Sequence, residues 1–151
     1  MPAAPAAVTF LYELAGTTCV IVHGEPTPSD DEWEVFLGVF GKHAAAGTMT
    51  KVLVFKEGSG PNPRQRARFL EVAKEYFRRS VPTAVLCPPG QPEGVSTAVG
   101  WFHQRHATYG PTELTRALDF LELRGKERDV VADRLASLRE RLAKLRRPTP
   151  R

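Results

Sequence analysis

The sequence is poor in the residues and patterns that announce a chemistry. Only two cysteines occur among 151 residues, and both lie in apolar runs, Cys19 in TCVIVH and Cys87 at the end of TAVLC. A thiol in such a run behaves as a small hydrophobe, so a disulfide framework is not expected and a reducing compartment suits the chain. No apolar run approaches the roughly 18 residues of a membrane-spanning helix. The opening MPAAPAAV has neither the basic start nor the apolar centre of a secretory leader. The expectation is a cytoplasmic protein.

Also missing are a Gly-x-x-x-x-Gly-Lys-Ser/Thr phosphate loop and a Gly-x-Ser-x-Gly nucleophile elbow, which PEGVSTA around Ser96 does not supply. His103 and His106 are spaced to share a helix face, but no third ligand lies near them, and His23 and His43 stand alone at a strand end and a helix end. These absences speak against a Walker-type nucleotide hydrolase, a serine hydrolase and a zinc enzyme. No cofactor or metal is expected. Acids are scarce in one place: residues 1–123 hold 11 Lys and Arg against 13 Asp and Glu, whereas residues 124–151 hold 10 against 4. The formal net charge of +4 therefore belongs to the tail.

What is present is an orderly alternation of strand and helix patterns. VTFLYEL places Val8, Phe10, Tyr12 and Leu14 at period two, and TCVIVH follows after Ala15-Gly16-Thr17, which predicts a β-hairpin. Ser29 and Glu32 form the two ends of a capping box, and Trp33, Phe36, Leu37, Phe40 and Ala44 then fall on one helical stripe. KVLVFK is apolar without alternation, the pattern of a strand buried on both faces of a parallel sheet. A helix is expected from about Pro63 to Arg79 with Phe69, Leu70, Ala73, Tyr76 and Phe77 inward, followed by a second buried strand, TAVLC. EGVSTAVGWFHQ reads as a short helix of small residues and ATYG as a short edge strand. GPTELTRALDFLEL reads as a helix capped by Thr112, with Leu114, Ala117, Leu118 and Leu121 inward. After Gly125 a separate helix carries Val131, Leu135, Leu138, Leu142 and Leu145 at spacings of 4, 3, 4 and 3, a heptad-like seam.

The expected fold is α/β, with a mixed sheet of four to five strands made of an N-terminal hairpin and then alternating strands and helices, plus a C-terminal amphipathic helix. The expected organisation is a flexible start over 1–7, a domain over 8–123, a basic amphipathic helix over 124–147 and a disordered end over 148–151.

This order of elements, with GEPTPSDDEWEVFLGVF after the hairpin and VSTAVGWFHQRHATYGPTELTRALDFLEL at its close, resembles the STAS domain. That is the fold of anti-sigma-factor antagonists, and the likeness is nearer to its SpoIIAA-like group, which is related to lipid carriers. It spans about residues 8–123. The resemblance implies a non-enzymatic regulatory protein-interaction module with a protein partner. In that family a serine in an Asp-Ser-Ser-Gly-like turn after the third strand is switched by phosphorylation, and Ser59 in Glu57-Gly58-Ser59-Gly60 falls in that connection. Here no Asp precedes the serine, and Pro61-Asn62-Pro63 follows. The related lipid carriers hold an apolar ligand in a cleft, which points to Ser96, Trp101, Phe102 and His103 as cleft residues for an apolar or anionic small molecule.

On the residues alone, Gly58, Ser59, Gly60 and Arg64 could form an anion or phosphorylation site at a helix start. Pro61 and Pro63 remove amides from such a cradle, and a plain turn with Asn62 as cap and Pro63 at the first helical position is the simpler reading. The simpler reading has Trp101 and Phe102 close a core. Cys87, at a strand end before a helix, could be activated by that helix, though a structural thiol is simpler. The basic tail would attract nucleic acid or anionic lipid. It carries no base-stacking aromatics, and its leucine seam favours docking on its own domain, on a partner, or on a second copy as a homo-oligomer.

Overall fold

Alternation and turn chemistry set up the first two strands. In the computed structural model, which describes residues 8–89 and 105–146, β1 (Phe10–Ala15) and β2 (Thr18–His23) pair antiparallel. The turn between them uses Gly16 at φ 61°, a left-handed conformation that glycine takes without steric cost. Three more strands follow in parallel, β3 (Lys51–Lys56), β4 (Thr83–Leu86) and β5 (His106–Tyr109). The spatial order is β1-β2-β3-β4-β5, a mixed α/β sheet with one antiparallel pair.

The first helix, α1 (Asp30–Ala46), begins where the sequence places it. Ser29 caps it with both halves of the box formed, and Trp33, Phe36, Leu37, Phe40 and Ala44 are its buried stripe. Asn62 likewise caps α2 (Pro63–Val72), with Gln65 returning the reciprocal bond. The single helix expected from Pro63 to Arg79 is broken at Ala73, whose ψ of 39° leaves the helical range, and α3 (Lys74–Arg78) continues beyond it. The break turns Ala73 and Tyr76 into the core while Phe69, on α2, stays only partly buried.

Thr112 is not the cap of the next helix. α4 (Leu114–Phe120) starts two residues later with no side-chain cap bond, because Glu113 instead accepts the Gly110 amide at 2.7 Å and pairs with Arg116 at 2.8 Å. The turn from α4 into α5 (Gly125–Arg146) uses positive φ at Glu122 and Gly125. The expected helix of small residues around Ser96, with Trp101, Phe102 and His103, lies outside the described residues, as do the two chain ends.

The two faces of the sheet carry different cores. On one, Phe10, Cys19, Ile21 and Val52 pack under α1, Ala73 and α3. On the other, Ala15, Val20, Val22, Leu53, Phe55, Ala84 and Leu86 pack under α4 and α5. Strands added in sequential order by crossovers of one hand put the crossover helices on one face, and here α1, α2 and α3 share it. The opposite face has to be closed by what comes last in the chain.

That requirement relocates the leucine seam. Val131, Leu135, Leu138 and Leu142 are buried in the domain's own core, against Val20, Val22 and Leu53. Leu145 alone of the five is exposed, at 59%. The helix read as a separate appendage is thus the outer layer of the sandwich, and its buried residues have no surface left for a second copy. Part of its basic charge is spent the same way. Arg134 and Arg141 both engage Glu13, Arg146 reaches Glu57 at 2.9 Å, and Arg139 stacks 4.1 Å over the Phe55 ring.

Candidate functional site

Register brings together side chains that the sequence keeps far apart. His23 ends β2 and Lys56 ends β3, and the parallel pairing sets them side by side. On each strand they fall on the α1 face, in step with Cys19 and Ile21 on β2 and with Val52 and Val54 on β3. Leu86 pairs with Phe55, so Cys87, one residue on, extends the row onto β4. On the hairpin side Phe10 pairs with His23 and stacks on its ring at 4.8 Å. A row of histidine, amine and thiol therefore crosses the carboxyl end of three parallel strands, the edge at which open α/β sheets present their ligand sites.

Beneath this row a cavity of about 80 Å³ runs along the α1 face of the sheet. Its floor is Ile21, Val52, Val54, Val85 and Thr83, and His106 stands at the far end. Trp33, Phe36 and Phe40 of α1, Phe69 and Leu70 of α2 and Tyr76 of α3 form the roof. Two features hold α2 in place above it. Gln65, only 2% exposed, donates from its amide to Pro28 O at 2.7 Å, and Trp33 donates from Nε1 to Gln65 O at 2.9 Å. The roof helix is therefore tied to the loop before α1 and to α1 itself.

The polar end of the cavity is electrostatically unusual. His23 is buried with no hydrogen-bond partner for Nδ1 among the described residues. Burial, reinforced by the neighbouring Lys56 charge, pushes its pKa down to about 3, so the ring stays neutral. Lys56 is 4% exposed. Burial foremost, and the Arg66 charge with it, hold its pKa below the ordinary lysine value, while Cys87 acts in the opposite sense. Arg66 lines the same end and donates from Nη1 to Pro61 O at 3.2 Å. Elsewhere in this core the titratable groups are silent. Burial pushes the Cys19 thiol up to about 12 and the Tyr76 phenol well above its usual value, and Tyr76 shares its hydroxyl with Thr83.

The loop that the sequence singled out forms the lid of this polar end. Gly58 passes so close to the backbone of Glu25 that a Cβ would lie 2.9 Å from its Cα, and Gly60 takes φ 75° and sits over the Lys56 stem. The glycines thus serve close packing and a left-handed turn. Ser59 is exposed. Arg64 pairs with Asp30.

His23, read as an isolated strand-end histidine, is part of the row, and Lys56 was not singled out at all. The available signal was a lysine closing an apolar strand of a sheet buried on both faces, where no polar residue is cheap. His43 hydrogen-bonds Thr48 at 2.8 Å at the end of α1. Among the described residues no group of three potential metal ligands occurs, and no helix is long and apolar enough to cross a membrane.

No protein-family model matches the chain, and no curated protein does. Among solved structures it is similar to a probable enoyl-CoA hydratase from Mycobacterium thermoresistibile, at 12% identity and a TM-score of 0.40, over 93% of this chain and 81% of that one. A second, a probable enoyl-CoA hydratase from Mycobacterium smegmatis, is 13% identical at a TM-score of 0.40, over 90% of this chain and 78% of the other. Likeness at that level carries nothing over to the site.

Proposed function

We propose that this chain is a non-enzymatic carrier or sensor domain that takes a small molecule with an apolar body into the cavity beneath α2. One observation supports this reading most: a mostly apolar-walled space at one end of which His23 Nδ1 is buried without a hydrogen-bond partner among the described residues, beside Lys56. Ligand sites combine mostly apolar walls with a few convergent polar groups, whereas buried polar atoms in a purely structural core are almost always paired. The space is smaller than the roughly 300–1,000 Å³ of drug-sized sites, so the ligand is small.

The test is a titration with neutral short-chain compounds, 1-butanol and butyramide, followed by backbone amide chemical shifts. Shifts centred on Val54, Val85 and Phe69, with a rise in melting temperature, are expected. Unchanged spectra for every compound, and no small molecule released from the purified protein by native mass spectrometry, would sink the reading.

A second reading is the regulatory protein-interaction module implied by the STAS resemblance. The feature that favours it is Ser59, exposed on a loop that Gly58 and Gly60 pack tightly against the chain. Phosphate on Ser59 in protein isolated from its own cells, together with a partner that distinguishes Ser59→Asp from Ser59→Ala, is the expected result. Identical partner binding by the two variants counts against it.

A further inference from the structure

The polar end of the cavity carries charge of one sign. Lys56 and Arg66 both line it, and their mutual repulsion is felt at the lysine. The acids of the surrounding elements are engaged elsewhere. Glu57 and Glu25 pair with Arg146, Asp30 with Arg64, and Glu32 accepts both the amide and the hydroxyl of Thr9. Among the described residues no carboxylate acts on Lys56, and the neighbouring Arg66 cation disfavours its charge. A buried cation without a counter-charge is costly, and an anion brought in by a ligand relieves that cost.

The loop above narrows the choice of anion. A phosphate wants several converging backbone amides, as at helix starts that cradle it. Here Pro61 and Pro63 have no N–H, and the Asn62 amide is taken by Gln65 at 2.9 Å. What remains is an ammonium and a planar guanidinium, the donor set that suits a carboxylate. The whole cavity, about 80 Å³, is about half the roughly 150 Å³ that admits benzene in an engineered core cavity. A chain of a few carbons fits it.

We infer that the cavity is the seat of a short-chain monocarboxylate, its carboxylate held by Lys56 and Arg66 beside His23 and its alkyl chain lying on Val54 and Val85. This rests on the ligand-binding reading above and specifies the ligand class. The head group would supply a negative charge that the described residues do not, and the chain would fill space that their side chains leave unoccupied.

The experiment compares butyrate, butyramide and inorganic phosphate on the full chain by calorimetric titration. Butyrate is expected to bind at least ten times more tightly than butyramide, and phosphate not to displace it. In Lys56→Met, which keeps most of the length of the side chain and removes its charge, that preference should vanish while butyramide binds as before. Arg66→Gln, at a half-buried position, should lower the preference several-fold and covers the case in which Lys56→Met does not fold. Equal affinity for butyrate and butyramide in the wild type would overturn the carboxylate assignment and leave the cavity reading standing. Binding of neither would overturn both. Displacement of butyrate by phosphate, or a preference for butyrate unchanged in both variants, would also overturn it.

Discussion

The two faces of the sheet are built from the same five strands and yet are different materials. The α4–α5 face is mostly aliphatic: Phe55 apart, valines, alanines and leucines from the strands meet valine, alanine and leucines from the helices. The α1–α3 face is aromatic, with Trp33, Phe36, Phe40, Phe69 and Tyr76 in a chain of ring contacts between 5.1 and 6.4 Å. Branched aliphatics fill space in small increments and interlock, whereas large planar rings meet at edges and leave gaps. The cavity and the buried His23 and Lys56 all lie on the aromatic face. The difference teaches that stability and accommodation are assigned to opposite sides of one sheet: the aliphatic side holds the fold, and the aromatic side tolerates a space and an unpaired charge.

That comparison can be broken most directly by removing the aliphatic cover. A chain ending at residue 123 loses Val131, Leu135, Leu138 and Leu142, whose burial contributes roughly 6–12 kcal/mol at about 1.5–3 kcal/mol each. The total stability of such a domain is about 5–15 kcal/mol. The truncated chain is expected to be unfolded by circular dichroism. A folded monomer with an intact melting transition would mean that α5 is an appendage after all.

Acid should sharpen the contrast from the aromatic side. His23 has a folded pKa of about 3 against an ordinary 6.5, so between these values the unfolded chain binds the proton and the folded one does not. Stability is then complete above pH 6.5 and is lost on acidification, at up to about 1.4 kcal/mol per pH unit. Carboxylates held low, such as Glu13 through Arg141 and Glu113 through the Gly110 amide, add to the loss only below their ordinary 4.5. Urea midpoints of wild type and His23→Phe should therefore diverge as pH falls below 6.5. Parallel curves would show that His23 takes up its proton in the folded state.

One added methylene should have opposite signs on the two faces. Val85→Ile points into the cavity and is expected to raise stability by up to about 1 kcal/mol, as cavity filling commonly does. Val22→Ile, in the filled aliphatic layer, is expected to lower it by about 1–3 kcal/mol. Equal losses for both would mean that the aromatic face is as tightly filled as the other. The smallest effect belongs to the rim. Glu13 receives Arg134 at 2.7 Å and also Arg141, with a third of its side chain exposed. Glu13→Gln should cost less than about 1 kcal/mol at low salt and nearly nothing at high salt.

Local signals made much of the fold legible. Ser29 and Glu32 start α1, Asn62 and Pro63 start α2, and the stripe from Trp33 to Ala44 names a buried face, because capping and helical periodicity act within one or two turns of chain. The break at Ala73 and the misplaced cap at Thr112 were not legible. Each depends on what a neighbouring element offers, the core for Tyr76 and the Gly110 amide for Glu113. The candidate site was less legible still. Ser59 and its glycines stood out as a motif, in which the glycines pack closely and Ser59 is exposed, while Lys56 and His23 looked unremarkable in their own strands.

Sequence alone dictated the alternation of strands and helices, the helix starts and the excess of positive charge at the end of the chain, since propensity, capping and composition are local properties. Tertiary structure dictated the rest. With α1, α2 and α3 on one face of the sheet, the last helix became a layer of the core on the other, and its arginines found Glu13 and Glu57. Parallel register, a relation between distant strands, put a buried amine beside a buried imidazole over an apolar space. No pattern confined to one segment could carry that information.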